Sequence, residues 1–381
     1  MILTKNQPFF AVFNFQITHE AQIWHQAKKS ILVDIDKLKV PPIFPNDSIT
    51  RKDLAINYSN LIRMDKQLGE IIQQLKDDGL YKSSYIFFYS DHGGPFPRYK
   101  RAIYETGTKV PFLVKFPNNK YANTTNNDLL SFIDLAPTML NIAQLKVPRY
   151  IQGHSFIENQ DYIPRKLLFT ATDRFDGQFD RIRAVRGGRY KLIRNYELTK
   201  PHALDVKYRN QMPLMRHLKH LDSLKQLNES QSLWFNVPKS NFEFYDLIND
   251  PYEINNLIND SFYENDIKFL QKALNSWVRK TKDKGETWGL IVKGIPNNYP
   301  VRVVREDPIR EGLLFAGTEF GMYLSKDAGD SWTEFQKNLP ITPITDLKIH
   351  RNDLVLSTMG RSFWILDDIQ FLRTDVNPAQ P

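Results

Sequence analysis

The stretch FFYSDHGG (residues 87–94) decides how the first half of this chain is interpreted. An apolar run of strand-forming residues ends in a carboxylate and an imidazole, and two glycines follow. Such a run predicts a buried strand, and Asp91 and His92 would then lie at its carboxyl end, where open α/β sheets bind ligands. Gly93 and Gly94 would let the backbone approach a bound anion closely. The stretch therefore predicts either half of a metal site or only the polar end of a strand.

Further strands and helices alternate along residues 1–160. Apolar runs predict strands over 8–16, 85–89 and 110–114, and helical spacing predicts a helix over 54–79 and another over 129–145. Thr50, with Asp53 three residues later, is expected to start the long helix as an acidic capping box. This alternation predicts an α/β domain with a mostly parallel sheet flanked by helices.

The pattern changes after residue 160 and again after residue 280. The Gly187-Gly188 pair predicts the turn of an antiparallel hairpin, so residues 161–280 are expected to form a smaller subdomain of antiparallel strands and helices. Residues 281–381 have the short strands and turns of an all-β domain. TKDKGETW (281–288) recurs 44 residues later as SKDAGDSW (325–332). This period is typical of a propeller blade, with Asp283 and Asp327 in turns and a Trp in the core.

Composition excludes several classes of function. The 381 residues include no cysteine, which excludes disulfides, thiolate metal sites and a cysteine nucleophile. No apolar run is long enough to predict a membrane span, and the order of residues at the N-terminus is not that of a signal peptide, which leaves the compartment open. The net charge of +8 would suit a polyanion, but no nucleic-acid-binding motif accompanies it.

Two more residues join Asp91 and His92 as site candidates. His19 follows the first predicted strand, and Lys100 lies nine residues after Asp91. A carboxylate and an imidazole suit a divalent cation, and the nitrogen ligand makes Mn or Zn more attractive than an all-oxygen set would. Each signal is weak alone: Asp91 could form a turn, His19 could be a satisfied polar residue, and Lys100 could belong to a solvated face.

Taken together, these motifs resemble a known family. FFYSDHGG, KRAIYE (100–105), VPFLVKFP (110–117), SFIDLAPT (131–138) and FEFYDLINDPYEINNL (242–257) are similar to the later part of the sulfatase family, within the alkaline-phosphatase superfamily. The resemblance covers residues 7–280 and is greatest to bacterial members related to heparan N-sulfatase. Residues 281–370 resemble the last blades of Asp-box (BNR) propeller proteins, as in sortilin-like proteins.

The resemblance implies a hydrolase of sulfate esters or sulfamates, acting on a sulfated small molecule or glycan. It implies that Asp91 and His92 bind a divalent metal, calcium by family and Mn or Zn because of the histidine. It also implies that Lys100 and His19 contact the sulfate. The family's nucleophile, a formylglycine in C/S-x-P-S/A-R, has no counterpart, since no serine here is followed two residues later by proline.

We therefore expect a sulfatase without its first portion, inactive alone and possessing no catalytic residue of its own, which a complementary chain would complete. Two alternatives remain open from the residues. One is a phosphoester or phosphonate ester hydrolase related to sulfatases. The other is a non-catalytic fusion remnant whose β module binds a partner.

Overall fold

The computed structural model describes residues 8–148, 150–157, 162–279, 292–296 and 298–374. The chain divides into two compact units, Met1–Val278 and Arg279–Pro381. The first mixes helices with antiparallel strands, and the second is almost entirely β. The division into three domains stays a prediction. No described helix has the length and apolar character that a membrane span requires.

The helices and strands have the following bounds. The helices are α1 (Ala21–His25), α2 (Ser48–Asp77), α3 (Glu105–Thr108), α4 (Leu135–Ile142), α5 (Pro213–Ser223), α6 (Glu229–Ser232), α7 (Glu264–Arg279) and α8 (Gln370–Arg373). The strands of the first unit are β1 (Ile86–Tyr89), β2 (Phe112–Lys115), β3 (Leu168–Phe175), β4 (Gln178–Arg186), β5 (Tyr190–Asn195) and β6 (Phe242–Asp246). Those of the second are β7 (Val301–Glu306), β8 (Leu314–Thr318), β9 (Gly321–Ser325), β10 (Thr333–Glu334), β11 (Ile344–His350), β12 (Asp353–Thr358) and β13 (Phe363–Leu366).

Helix α2 confirms the long helix but not its predicted start. Asp47 is the N-cap, and its carboxylate accepts a hydrogen bond from the Thr50 backbone N–H at 3.0 Å. The expected capping box of Thr50 and Asp53 is wrong because Asp53 is buried on the inner face and accepts instead from the Leu214 N–H at 2.8 Å. Helix α2 ends where Gly79 adopts a φ of +71°, a conformation that suits glycine.

The mostly parallel sheet is a wrong prediction for the described residues, in which every strand pairing is antiparallel. Strands β1 and β2 form a two-stranded sheet with Phe88 opposite Leu113. The loop between them closes on itself, with the Gly93 N–H bonded to the Gly107 carbonyl at 2.9 Å. Because the chain leaves β1 and enters β2 at the same end of the sheet, β2 runs antiparallel to β1.

The predicted strand over 8–16 is also absent from the described residues. Most of its side chains are exposed, including Phe10 at 77%, Val12 at 66% and Phe13 at 56%. Strand propensity depends on a neighbouring strand and on burial, and neither is available to this segment.

Strands β3 to β6 form one antiparallel sheet in sequence order, which confirms the predicted hairpin around Gly187 and Gly188. One face packs on α7, with Val185, Leu192, Phe244 and Leu274 in the shared core. The sheet also packs against the loop between β1 and β2, since Ile103 and Tyr104 share a core cluster with Ile182, Ile193 and Tyr245.

The second unit contains a four-stranded sheet, in the order β10-β9-β8-β7, and a three-stranded sheet, β11-β12-β13. Leu313, Phe315, Ile344 and Leu354 lie in their common core. The described residues form no closed propeller.

The second copy of the eight-residue repeat forms a turn within the four-stranded sheet. Asp327 accepts hydrogen bonds from the Ser325 hydroxyl at 2.7 Å and from the Ser331 N–H at 2.9 Å, and Trp332 is buried. The first copy, with Asp283, lies outside the described residues.

Candidate functional site

The loop between β1 and β2 is tightly wound and fixes the direction of its side chains. A Cβ on Gly93 would lie 1.8 Å from the Thr106 carbonyl oxygen, so only glycine fits there. Arg98 is buried, and its guanidinium donates to the Glu253 carbonyl at 2.7 Å. Arg101 has a φ of +69°. The loop holds Lys100 and Arg101 on a backbone that is anchored on both sides.

Lys100 meets His19, although 81 residues separate them along the chain. The Lys100 Nζ lies 3.1 Å from the His19 Nε2. The lysine side chain is only 16% exposed, whereas His19 itself is exposed. Two sequence candidates are thus brought together where an anion from solvent could reach both.

Glu20 forms ion pairs with both cations of the loop, Lys100 and Arg101. Its carboxylate is 1% exposed and lies 3.1 Å from the Lys100 Nζ and 2.8 Å from an Arg101 guanidinium nitrogen. Arg101 has a second partner: its Nε lies 3.1 Å from a carboxylate oxygen of Asp176, in the turn between β3 and β4. A buried carboxylate that contacts two cations fixes both, because leaving either charge unpaired would be costly.

The His19 ring is held in its neutral form. Partial burial lowers the pKa of His19 below its usual value, and the nearby charge of Lys100 lowers it further. The ring Nδ1 lies 3.3 Å from the Ala21 N–H at the start of α1. A neutral imidazole has one acceptor nitrogen, so the ring accepts from either Ala21 or Lys100, and its other nitrogen carries the proton.

Asp91 and His92 form a second, adjacent pair. The His92 Nδ1 lies 2.6 Å from the Gly93 carbonyl, which can only accept, so this nitrogen carries the proton. The lone pair is then on Nε2, which lies 3.6 Å from an Asp91 carboxylate oxygen. The Asp91 side chain is 87% exposed. One oxygen and one nitrogen donor thus lie side by side, a combination that suits a divalent cation.

The described residues do not complete a metal site around this pair. They contain no group of three or more His, Cys, Asp or Glu side chains that could hold a metal ion. Asp91 and His92 fit as two ligands of such a site, and further ligands would have to come from elsewhere.

Sequence reasoning missed Glu20, Arg101 and Asp176. Glu20 directly follows His19 and Arg101 directly follows Lys100, so adjacency to the predicted residues was an available signal. Nothing in the sequence indicated that Asp176, in a distant hairpin turn, would contact Arg101.

Comparison with known proteins identifies the family to which this part of the chain is similar. The family model described as Sulfatase matches residues 2–145, and that described as N-sulphoglucosamine sulphohydrolase, C-terminal, matches residues 96–217. The two matches span all four candidate residues. This part of the chain belongs to the sulfatase family.

Two curated sulfatases are among the relatives. An ulvan-active sulfatase of Formosa agariphila is 37% identical over 313 residues, which is 73% of this chain and 52% of that protein. Human N-sulphoglucosamine sulphohydrolase is 26% identical over 256 residues, 64% of this chain and 51% of that protein. The chain thus spans about half the length of these sulfatases.

A solved structure of a 2-O GAG sulfatase superposes on 66% of this chain and 51% of that one, with 18% identity and a TM-score of 0.44. This superposition is too loose to support an argument about the site.

Proposed function

We propose that this chain is the later part of a sulfatase that hydrolyses sulfate esters or sulfamates of a glycan or of a smaller sulfated molecule. His19 and Lys100 contact the sulfate group, and Asp91 and His92 are two ligands of its divalent metal. The contact between the Lys100 Nζ and the His19 Nε2 at 3.1 Å is the observation that carries the proposal. The curated relatives, an ulvan-active sulfatase and a sulphohydrolase of N-sulphoglucosamine, support the reaction class.

The chemistry of the two residues suits a sulfate group. Lys100 offers an ammonium with three donors: one faces His19, one faces the Glu20 carboxylate, and one remains for an oxygen of an anion. When the Nδ1 of His19 accepts from Ala21, the neutral ring carries its one N–H on Nε2, and this N–H can donate to a sulfate oxygen. As the S–O or S–N bond breaks, the leaving atom gains a proton, which the Lys100 ammonium or the protonated form of His19 would donate.

Asp91 and His92 would hold the metal through a carboxylate oxygen and the His92 Nε2. The hydrogen bond from the His92 Nδ1 to the Gly93 carbonyl fixes the ring for this role. Calcium is the metal expected from the family, and the imidazole also suits Mn or Zn. When bound, such an ion would stabilise negative charge on the sulfate oxygens.

The nucleophile is proposed to come from a complementary chain or segment. No cysteine is present and no serine precedes x-Pro, so the sequence has no formylglycine motif, and covalent catalysis requires a nucleophile. We expect the chain alone to be inactive.

An apolar groove in the first unit supports this partner. It is lined by Leu61, Met64, Leu68 and Ile72 of α2 and by Ile86, Phe88 and Leu113 of the two-stranded sheet, and encloses about 430 Å³. Leu113 is 63% exposed. Exposed apolar surface of this kind marks an interaction site, and β1 and β2 each offer an edge to which a further strand can be added. We propose that the part of the sulfatase sequence that this chain lacks covers the groove.

Sulfate binding tests the proposal directly. Calorimetric titration with inorganic sulfate should show binding that weakens at least tenfold in Lys100→Ala and in His19→Ala. Lys66→Ala removes an exposed lysine of α2 and should bind as the wild type does. Equal sulfate affinity in Lys100→Ala and wild type would contradict the assignment.

Metal uptake tests the second pair. Titration with calcium and manganese should show weak uptake that Asp91→Asn reduces. Uptake that is unchanged in Asp91→Asn would place the metal elsewhere.

Turnover by a mixture of two chains tests whether the missing half of the sulfatase supplies the nucleophile. Neither the chain nor a separately expressed first half of the Formosa agariphila relative should cleave an aryl sulfate, whereas the mixture should. Cleavage by this chain alone would contradict the need for a partner. Comparing an aryl sulfate with the matching aryl phosphate in the same mixture distinguishes a sulfatase from a phosphoester hydrolase.

A further inference from the structure

Tyr208 presents a partly exposed aromatic ring beside the candidate sulfate site. The ring centroids of Tyr208 and His19 are 6.2 Å apart at an interplanar angle of 54°. Tyr208 is 40% exposed and directly precedes the short helical turn Arg209–Gln211. Neither the sequence patterns nor the sulfatase comparisons assign it a role.

The position of this ring is fixed by its surroundings. The ring of Trp24, in α1, packs against it nearly perpendicular, with ring centroids 5.4 Å apart at 72°. The next residue, Arg209, is buried, and its guanidinium lies over the Trp234 ring at 4.7 Å. The backbone of Tyr208 is therefore anchored in the core while part of its ring faces solvent next to His19.

If Lys100 and His19 hold a sulfate group, the rest of the molecule that bears this group lies near Tyr208. In a sulfated glycan this part is a sugar ring, which has a flat face of C–H groups. The face of an aromatic ring is electron-rich and apolar, so it packs well against such C–H groups. Binding sites use rigid aromatic rings in this way, with a few polar groups that fix orientation.

We propose that Tyr208 is the platform on which the sugar ring of a sulfated glycan packs. The proposal rests on the sulfatase function proposed above and deepens it. It makes Tyr208 a specificity residue that distinguishes a sulfated sugar from sulfate alone.

A purely structural role makes a different prediction. If Tyr208 only supported Trp24, its removal would lower stability and disturb both ligands alike. If it is a platform, its removal weakens the sugar alone. The ratio of the two affinities therefore separates the two roles.

The test uses the full chain and three probes: inorganic sulfate, glucosamine N-sulfate and a sulfated ulvan oligosaccharide. In the wild type, at least one sulfated sugar should bind more tightly than inorganic sulfate. Tyr208→Ala should weaken that sugar roughly tenfold and change the sulfate affinity by less than about twofold. Tyr208→Phe should retain the sugar affinity because the ring remains. Calorimetry gives all affinities.

One further variant separates the remaining outcomes. Tyr208→Leu keeps apolar bulk against Trp24 but removes the flat face, so it should lose sugar affinity as Tyr208→Ala does. It takes the place of the alanine variant if the latter does not fold. Sugars that bind no more tightly than sulfate, or a leucine variant with wild-type sugar affinity, would overturn the platform. Lys100-dependent sulfate binding would still support the sulfatase site in that case. No binding of any probe by the wild type would overturn both proposals.

Discussion

Glu20 is the single residue on which the candidate site depends most. Its buried carboxylate contacts both Lys100 and Arg101, whose side chains are only 16% and 13% exposed. Glu20→Gln would leave the poorly solvated Lys100 without its carboxylate partner and Arg101 with Asp176 alone. We expect the free energy of unfolding to fall by about 2–4 kcal/mol, as measured by chemical denaturation.

The exposed pair of Asp34 and Lys37 is the matched control for Glu20. These side chains are 50% and 84% exposed, so Asp34→Asn should leave the unfolding midpoint unchanged. A loss in Glu20→Gln no larger than that in Asp34→Asn would show that the carboxylate does not fix the two cations.

His19 makes sulfate binding depend on pH. Its lowered pKa keeps the ring neutral at neutral pH, and protonation at lower pH would add a second positive charge beside Lys100. Sulfate affinity should therefore rise as the pH falls through the pKa of His19, by about fivefold or more. His19→Gln, which cannot titrate, should bind sulfate with an affinity that stays nearly constant over this range. The same pH slope in both proteins would assign the effect to another group.

At the scale of elements, Asp53 links α2 to α5. Its carboxylate accepts from the Leu214 N–H at the start of α5, and burial raises the pKa of Asp53 from 3.8 to about 6. Because the folded-state pKa is raised, the protonated form is favoured in the folded protein. The stabilisation from this group is complete below the unfolded pKa and is lost as the pH rises through about 6.

Asp53→Asn should remove this dependence while keeping an acceptor for Leu214. Between about pH 4 and pH 7.5, the stability of the variant relative to wild type should increase by roughly 2–3 kcal/mol. Denaturation at the two pH values measures this. A difference between variant and wild type that does not change with pH would contradict the raised pKa.

Elements with local causes were predictable from the sequence, and those with distant partners were not. The apolar spacing of α2 and the Gly187-Gly188 turn are local signals, and both predictions are confirmed. The segment 8–16 has strand-like residues but no strand beside it among the described residues, so propensity alone misled. The antiparallel pairing of β1 and β2 follows from the closure at Gly93 and Gly107, which no period in the sequence reveals.

The candidate site divides in the same way. Asp91, His92, Lys100 and His19 were predicted because they end apolar runs or follow motifs, and the structure brings Lys100 to His19 and places His92 next to Asp91. Their roles on sulfate and metal stay predictions. Glu20 and Asp176 were missed since their importance comes from contacts across the fold.

At the scale of the whole molecule, each of the two units has its own core. Asp327 ties the turn of the second unit, and hydrogen bonds from the Ser331 and Ser325 side chains lower its pKa to about 2. Asp327→Ala should therefore loosen only the second unit. Hydrogen exchange should become faster in β8 and β9 and stay unchanged around Trp234, which is buried in the first unit.

Asp330→Ala is the control, since Asp330 is an exposed acid of the same turn. It should leave exchange unchanged in both units. Faster exchange around Trp234 in the Asp327 variant would show that the units do not behave independently.

The closed loop also has a consequence for protein engineering. The hydrogen bond between Gly93 and Gly107 brings the two ends of the segment 93–107 together at 2.9 Å, so the segment is a cassette that could be exchanged between related proteins. The segment does not contain the ion-pair partner of Lys100 and Arg101, because that partner, Glu20, lies elsewhere in the chain. A working chimera would therefore have to carry the loop, the residues around Glu20, and Asp176 and Glu253, which contact Arg101 and Arg98.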